Sequence, residues 1–249
     1  MVWFAEAHEF TADQLAAMVA QATGGELHAA LAPEPVWLDE QEAVAARRAL
    51  EADTALYCAD PADVDEPAFA DLAELLSTPP EARYGWITDI PNDVRLGVLA
   101  ANSRWFGLVA VREDDSIWVR TFPPENPSDV LAATLPDSWK SSAQPIGVMR
   151  SEMLAADDGS RGFIAPRTEV RRAQRVVALK PHVIAEFYAA VRDTGKARSS
   201  PHPIRIYDTD DGRWTVRITT TYSDERLDLA PADQHDVTHL LDGLARELR

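Results

Sequence analysis

Two segments of this chain follow one plan. RWFGLVAVREDDSIWVRTFPPENPSDVLAATL begins at Arg104, and RWTVRITTTYSDERLDLAPADQHDVTHLLDGL begins at Arg213. Each opens on Arg-Trp, runs through a strand-like segment, turns on acidic residues and returns as a second strand. Each then passes a proline, reaches Asp-Val (Asp129-Val130, Asp236-Val237) and ends in a Leu-rich helix. A plan written twice constrains the fold more than composition does. It calls for two related units whose strands lie edge to edge or in one continuous sheet. Trp105 and Trp214 open matching strands, where a buried indole contributes a large apolar area.

The remaining periodicities fill in each unit. Thr11 with Gln14 forms a capping box before the stripe Leu15, Met18, Val19, Ala22, which Gly24-Gly25 ends. Helices are also expected over 39–52 and 66–77, and a short strand over 2–6. Then 83–90, 95–101, 104–112 and 116–122 read as antiparallel strands, followed by a helix at 127–135. The run 144–156 reads as a strand entering a helix, and 157–166 as a linker. The second unit has a basic helix at 167–177. The segment 181–195 reads as a helix with the stripe Val183, Ile184, Phe187, Tyr188, Val191 and a stop at Gly195. Strands at 203–209, 213–221 and 226–230 and a helix from 232 to 248 complete it, with Gly212 supplying the positive φ of a hairpin. The expected fold class is mixed α/β (α+β), a pseudo-twofold repeat of helix, antiparallel meander, helix. The halves 1–157 and 158–249 are expected to form one compact domain.

Charge separates these halves. Residues 1–157 carry a net −18 and residues 158–249 a net +1, so the chain total of −17 sits in the first half. That field disfavours nucleic acid and anionic membranes as partners. No apolar run approaches the length of a membrane span, and MVWFAEAHEFTADQ has neither the basic nor the apolar region of a secretory signal. The single cysteine, Cys58, allows no intrachain disulfide and reads as a small apolar side chain. A cytoplasmic location follows as the expectation. The cluster Arg161, Arg167, Arg171, Arg172, Arg175 and Lys180 reads as a solvated helix face or as a docking surface for an acidic partner.

Catalytic patterns are missing. There is no GxSxG, P-loop or GxGxxG. His235 and His239 stand four apart in HDVTH, on one helix face, but Asp236 follows the first His where a metalloprotease has Glu, and no third ligand is identifiable. A small metal-dependent hydrolase is the remote alternative. The expectation is a protein that is not an enzyme and takes no cofactor or metal.

Strand alternation suggests a binding surface instead. In 213–221, Trp214, Val216 and Ile218 alternate with Arg213, Thr215, Arg217, Thr219 and Thr221. In 203–209, Ile204 and Ile206 alternate with Arg205 and Tyr207. The second unit is therefore expected to show water a polar face of Arg205, Tyr207, Thr215, Arg217, Thr219 and Thr221. Arg and Tyr favour interface cores, so this face reads as a solvated surface or a docking surface.

The chain resembles the ESX (type VII) secretion-associated EspG family of actinobacteria. The resemblance is carried by AFADLAELLSTPPEARYGWI, VLAANSRWFGLVAVREDDSIWVRTFPPENPSDVLAATLP, PIGVMRSEML and YDTDDGRWTVRITTTYSDERLDLAPADQHDVTHLLDGL. These contain a helix ending in L-x-x-L-x-x-P, a charged hairpin tip, and a "GRW" strand before a proline and a final Leu-rich helix. The resemblance implies a central antiparallel sheet with two helical bundles. It implies a cytosolic chaperone that binds the tip of the PPE subunit in a PE–PPE helical heterodimer and delivers it for secretion. It also implies contacts from the sheet, the C-terminal bundle and a first-half loop, here at Arg112, Glu113, Asp114 and Asp115. The alternative is a non-catalytic binding or assembly module for another helical secreted client, or for a second copy of the chain.

Overall fold

The Thr11 hydroxyl accepts a hydrogen bond from the Gln14 amide at 3.2 Å and starts α1 (Ala12–Thr23); Gly24, at φ 67°, ends it. Thr11 is thus the N-cap that the sequence predicts, through its own arm of the expected capping box, the hydroxyl accepting from Gln14. The computed structural model describes residues 6–33, 69–157, 167–193 and 196–249, with Gln41, Val44, Ala45 and Arg48 between. Nearly all of the strand expected at 2–6, most of the helix at 39–52, most of the linker at 157–166, Arg161, Cys58 and Gly195 lie outside the described residues.

The described helices after α1 are α2 (Phe69–Ser77), α3 (Pro127–Ala132), α4 (Arg150–Asp157), α5 (Thr168–Val177) and α6 (Gln234–Leu248). The strands are β1 (His8–Thr11), β2 (Glu81–Asp89), β3 (Val94–Asn102), β4 (Gly107–Glu113), β5 (Ser116–Phe122) and β6 (Ile146–Met149). Then come β7 (Pro181–Asp193), β8 (Lys196–Ser199), β9 (Ile204–Thr209), β10 (Gly212–Thr220) and β11 (Glu225–Pro231). They form one antiparallel sheet in the order β1-β5-β4-β3-β2-β7-β9-β10-β11-β6, with β8 hydrogen-bonded to the far end of β7. Apart from β8, the order is symmetric about the centre. At each edge lies a strand that precedes helices in the chain, and inside it a meander runs back to the middle.

The middle is the pairing of β2 with β7, from Glu81–Val191 to Asp89–Val183. It corrects the helix expected over 181–195. The run PHVIAEFYAAVRD carries both periods, but its period-2 set decides. Val183, Ala185, Phe187 and Ala189 are buried on one face, while Ile184, Glu186, Tyr188 and Ala190 are half-buried on the other. Valine, isoleucine and aromatic residues suit a pleated surface buried on both sides.

The tryptophan symmetry also fails. Trp214 is 1% exposed in the core, whereas Trp105 is 83% exposed in the β3–β4 loop. The Ser103 hydroxyl accepts from the Trp105 and Phe106 amides, both at 3.1 Å, and donates to the Phe106 carbonyl. This local turn delays β4 to Gly107 and gives Phe106, not Trp105, the buried place.

One face of the sheet, the closed face, is covered at its middle by α3 and α6. Ile87, Val98, Val183, Phe187 and Ile206 share a core there with Leu131, Val237 and Leu241. The opposite face is covered at its two ends. At one end α1 and α2 pack on Leu99, Leu108, Ile117 and Val119. At the other, Val170 and Ala173 of α5 pack with Ile146, Val148, Trp214 and Leu229, and Met153 of α4 borders them.

Candidate docking face

Between those two groups of helices the sheet is half-exposed. The side chains there come from alternate positions of the central strands: Tyr84, Trp86 and Thr88 of β2, Ile184, Glu186 and Tyr188 of β7, and Arg205 and Tyr207 of β9. Register places them together, pairing Tyr84 with Tyr188, Trp86 with Glu186, Glu186 with Arg205 and Ile184 with Tyr207. Tyr84 stacks on Tyr188 with ring centroids 5.4 Å apart and an interplanar angle of 15°. Trp86 stands edge-on to both, at 6.3 Å from Tyr84 and 6.2 Å from Tyr188. Such a strip of large, rigid, amphipathic rings is typical of an interface core.

Polar groups line it sparingly. Arg205 Nε donates to Glu186 Oε1 at 2.8 Å, so the two charges offset each other. Burial, with help from the Glu186 carboxylate, raises the pKa of Tyr188, and burial outweighs the opposing Arg205 charge to raise that of Tyr207. Both phenols are therefore neutral hydrogen-bonding groups at physiological pH. His28, edge-on to Tyr84 at 4.6 Å, is pushed down by burial to about 4. Its Nδ1 accepts from the Ala30 amide at 3.3 Å, a bond within the loop after α1.

The strip ends in a cavity on each side. Beside α5 lies one of about 320 Å³, lined by Met153, Val176, Val177, Leu179, Trp214, Val216, Ile218 and Leu227 among others, together with Arg205 and Tyr207. Apolar residues dominate this lining, and Val177 is 65% exposed. On the other side a polar cavity of about 240 Å³ is lined by Trp86, Arg95, Gly97, Arg112, Asp114 and the alanines of the loop after α1. A Cβ on Gly97 would run into the Ala30 carbonyl, so glycine is what lets that loop lie on β3.

The structure divides the residues singled out by alternation. Trp214 lies opposite Tyr207, and Val216 opposite Arg205. Arg205 and Tyr207 therefore share the face of Trp214, while Thr215, Arg217 and Thr219 point to the face of α6. The continuous polar face expected for the second unit does not exist. Alternation within one strand does not specify its register against the next. Thr215 is buried, donating to the Ala230 carbonyl at 3.1 Å. Arg217 pairs with Glu247 of α6, and Thr219 is exposed. Thr221, past the end of β10, donates to the Asp224 carbonyl at 2.7 Å. Arg213 is not solvated either. It is 2% exposed and forms a two-bond ion pair with Asp208, at 2.7 and 2.8 Å.

The first-half hairpin tip is held from within. Arg112 donates to the Ala32 carbonyl and, at 2.7 Å, to the Asp114 carbonyl. Asp114 takes the left-handed conformation at φ 50°, and the Asp115 carbonyl accepts from the Ala12 amide at 2.7 Å. Glu113, paired with Leu96, faces the α3 side. Of the tip residues, Arg112 and Asp114 border the polar cavity.

Sequence reasoning missed Tyr84, Trp86 and Tyr188. Tyr84 and Trp86 carried a signal, since YGW within 83–90 puts both rings on one side of a strand. Tyr188 was hidden by the helical reading of its segment. Among the described residues no three His, Cys, Asp or Glu side chains are grouped as metal ligands.

A model of the EspG family matches residues 11–243 of the chain. A search of curated proteins finds no match. Among solved structures, the chain is similar to the Mycobacterium tuberculosis type VII secretion system chaperone EspG5, solved in complex with a PE25–PPE41 dimer. The two share 15% identity and a TM-score of 0.65, over 98% of this chain and 96% of that one. At that identity the likeness is one of fold.

Proposed function

The chain belongs to the EspG family, and from that membership we propose that it is a type VII secretion chaperone holding the helical tip of a PPE-type subunit of a PE–PPE heterodimer. The observation that carries this reading is the open strip of the sheet, with its stacked Tyr84 and Tyr188, edge-on Trp86 and adjoining apolar cavity beside α5. A helical tip exposes apolar side chains that must be kept from water before export. Rigid aromatic rings and an apolar cavity cover such side chains at low entropic cost. Arg205 and Tyr207 sit at the junction of strip and cavity, where their polar ends can satisfy the client's free backbone groups.

The client class is drawn from EspG5, whose solved complex contains a PE–PPE dimer. The reading places the protein in the cytoplasm, with its client before export. No helix among the described residues is long and apolar enough to cross a membrane. Co-expression with PE–PPE pairs encoded in the same genome, followed by size-exclusion chromatography, tests the proposal. Co-elution of all three chains is expected for at least one pair. If the folded protein elutes alone from every pair, the client is another helical protein or a second copy of the chain.

A further inference from the structure

The HDVTH segment lies on α6, which covers the closed face of the sheet, away from the open strip. His235 lies in the first turn of α6 and His239 one turn later, both exposed. Their Nε2 atoms are 2.8 Å apart, with ring centroids at 4.2 Å and planes at 73°. We propose that His235 and His239 form a two-imidazole binding site for a divalent copper or nickel ion, with water in the remaining coordination positions.

Ligand type carries the choice of ion, because imidazole nitrogens suit copper and nickel, which stand near the top of the divalent affinity order. The contact is now a hydrogen bond between the rings, so the donating ring must carry its proton on Nδ1 to bind. Nearby carboxylates are engaged elsewhere. Asp236 accepts from Lys140 at 2.6 Å and from the Asp233 amide at 2.9 Å, and Asp242 accepts from Ser128 at 2.6 Å. The protein thus supplies two ligands, and the site is an exchangeable one that staples consecutive turns of α6.

The test is calorimetric titration of NiCl₂, then CuCl₂, into the tag-free full chain and into His235→Ala, His239→Ala and the double variant. The unaltered chain should bind one ion, and each single substitution should weaken binding about tenfold or more, because the second imidazole acts at high effective concentration. Equal affinity in the unaltered chain and the double variant would place the ion on other histidines and overturn the proposal. A second measurement needs no variant. Substoichiometric Cu²⁺ should broaden the imidazole proton resonances of His235 and His239 before those of the chain's four other histidines. Broadening that starts elsewhere would equally overturn it.

Discussion

Asp208 and Arg213 are 3% and 2% exposed at the side chain and satisfy each other by two hydrogen bonds, while Arg213 also donates to the Pro136 carbonyl at 2.6 Å. Removing one partner leaves a buried charge without its counterion. Asp208→Ala should therefore cost about 3–5 kcal/mol, read from the denaturant midpoint. His28 gives a pH effect. Its folded pKa of about 4 lies below the ordinary 6.5 because burial disfavours the cation. Between these values the unfolded chain binds a proton that the folded chain does not. The contribution is complete above pH 6.5 and is lost as pH falls toward 4. Discounted for the ring's partial exposure, it is on the order of 2 kcal/mol. His28→Gln, which keeps an acceptor for Ala30, should flatten the fall in stability between pH 7 and pH 5; an unchanged slope would assign that fall to other groups. Neither residue's role was legible in the sequence. Arg213 read as a solvated charge because its partner lies on the neighbouring strand, and only register shows that.

Elements were more legible than faces. The cap at Thr11, the positive φ of Gly212 (101°) and the capping box of α6, Asp233 with Asp236, follow from local chemistry, and the first two were readable in advance. The element that failed was β7, whose apolar residues fit both a helical stripe and a buried strand. The choice belongs to the tertiary environment, namely β2 on one side and β9 on the other. Gly85 marks how closely β2 approaches this seam. A Cβ there would run into the Glu186 carbonyl and the Phe187 ring. Gly85→Ala should destabilise the protein by about 1–3 kcal/mol, as overpacking does. Amide hydrogen exchange should rise first along Tyr84–Ile87 and Ala185–Tyr188 if the seam is what loosens.

At the scale of the whole molecule, the strand order is symmetric about β2 and β7. What the sequence could not supply is where the helices lie across that sheet. They close one face at its middle and leave the other open there, and the open middle is the proposed docking face. The most direct measurement is the affinity of a co-purifying PE–PPE pair for variants of the two faces, by calorimetry or interferometry. Tyr188→Ala and Val177→Asp, on the open side, should each weaken binding about tenfold or more. Arg217→Ala and Thr219→Ala, on the α6 side, should leave it unchanged. Loss of binding on the α6 side with full affinity on the open side would contradict the account.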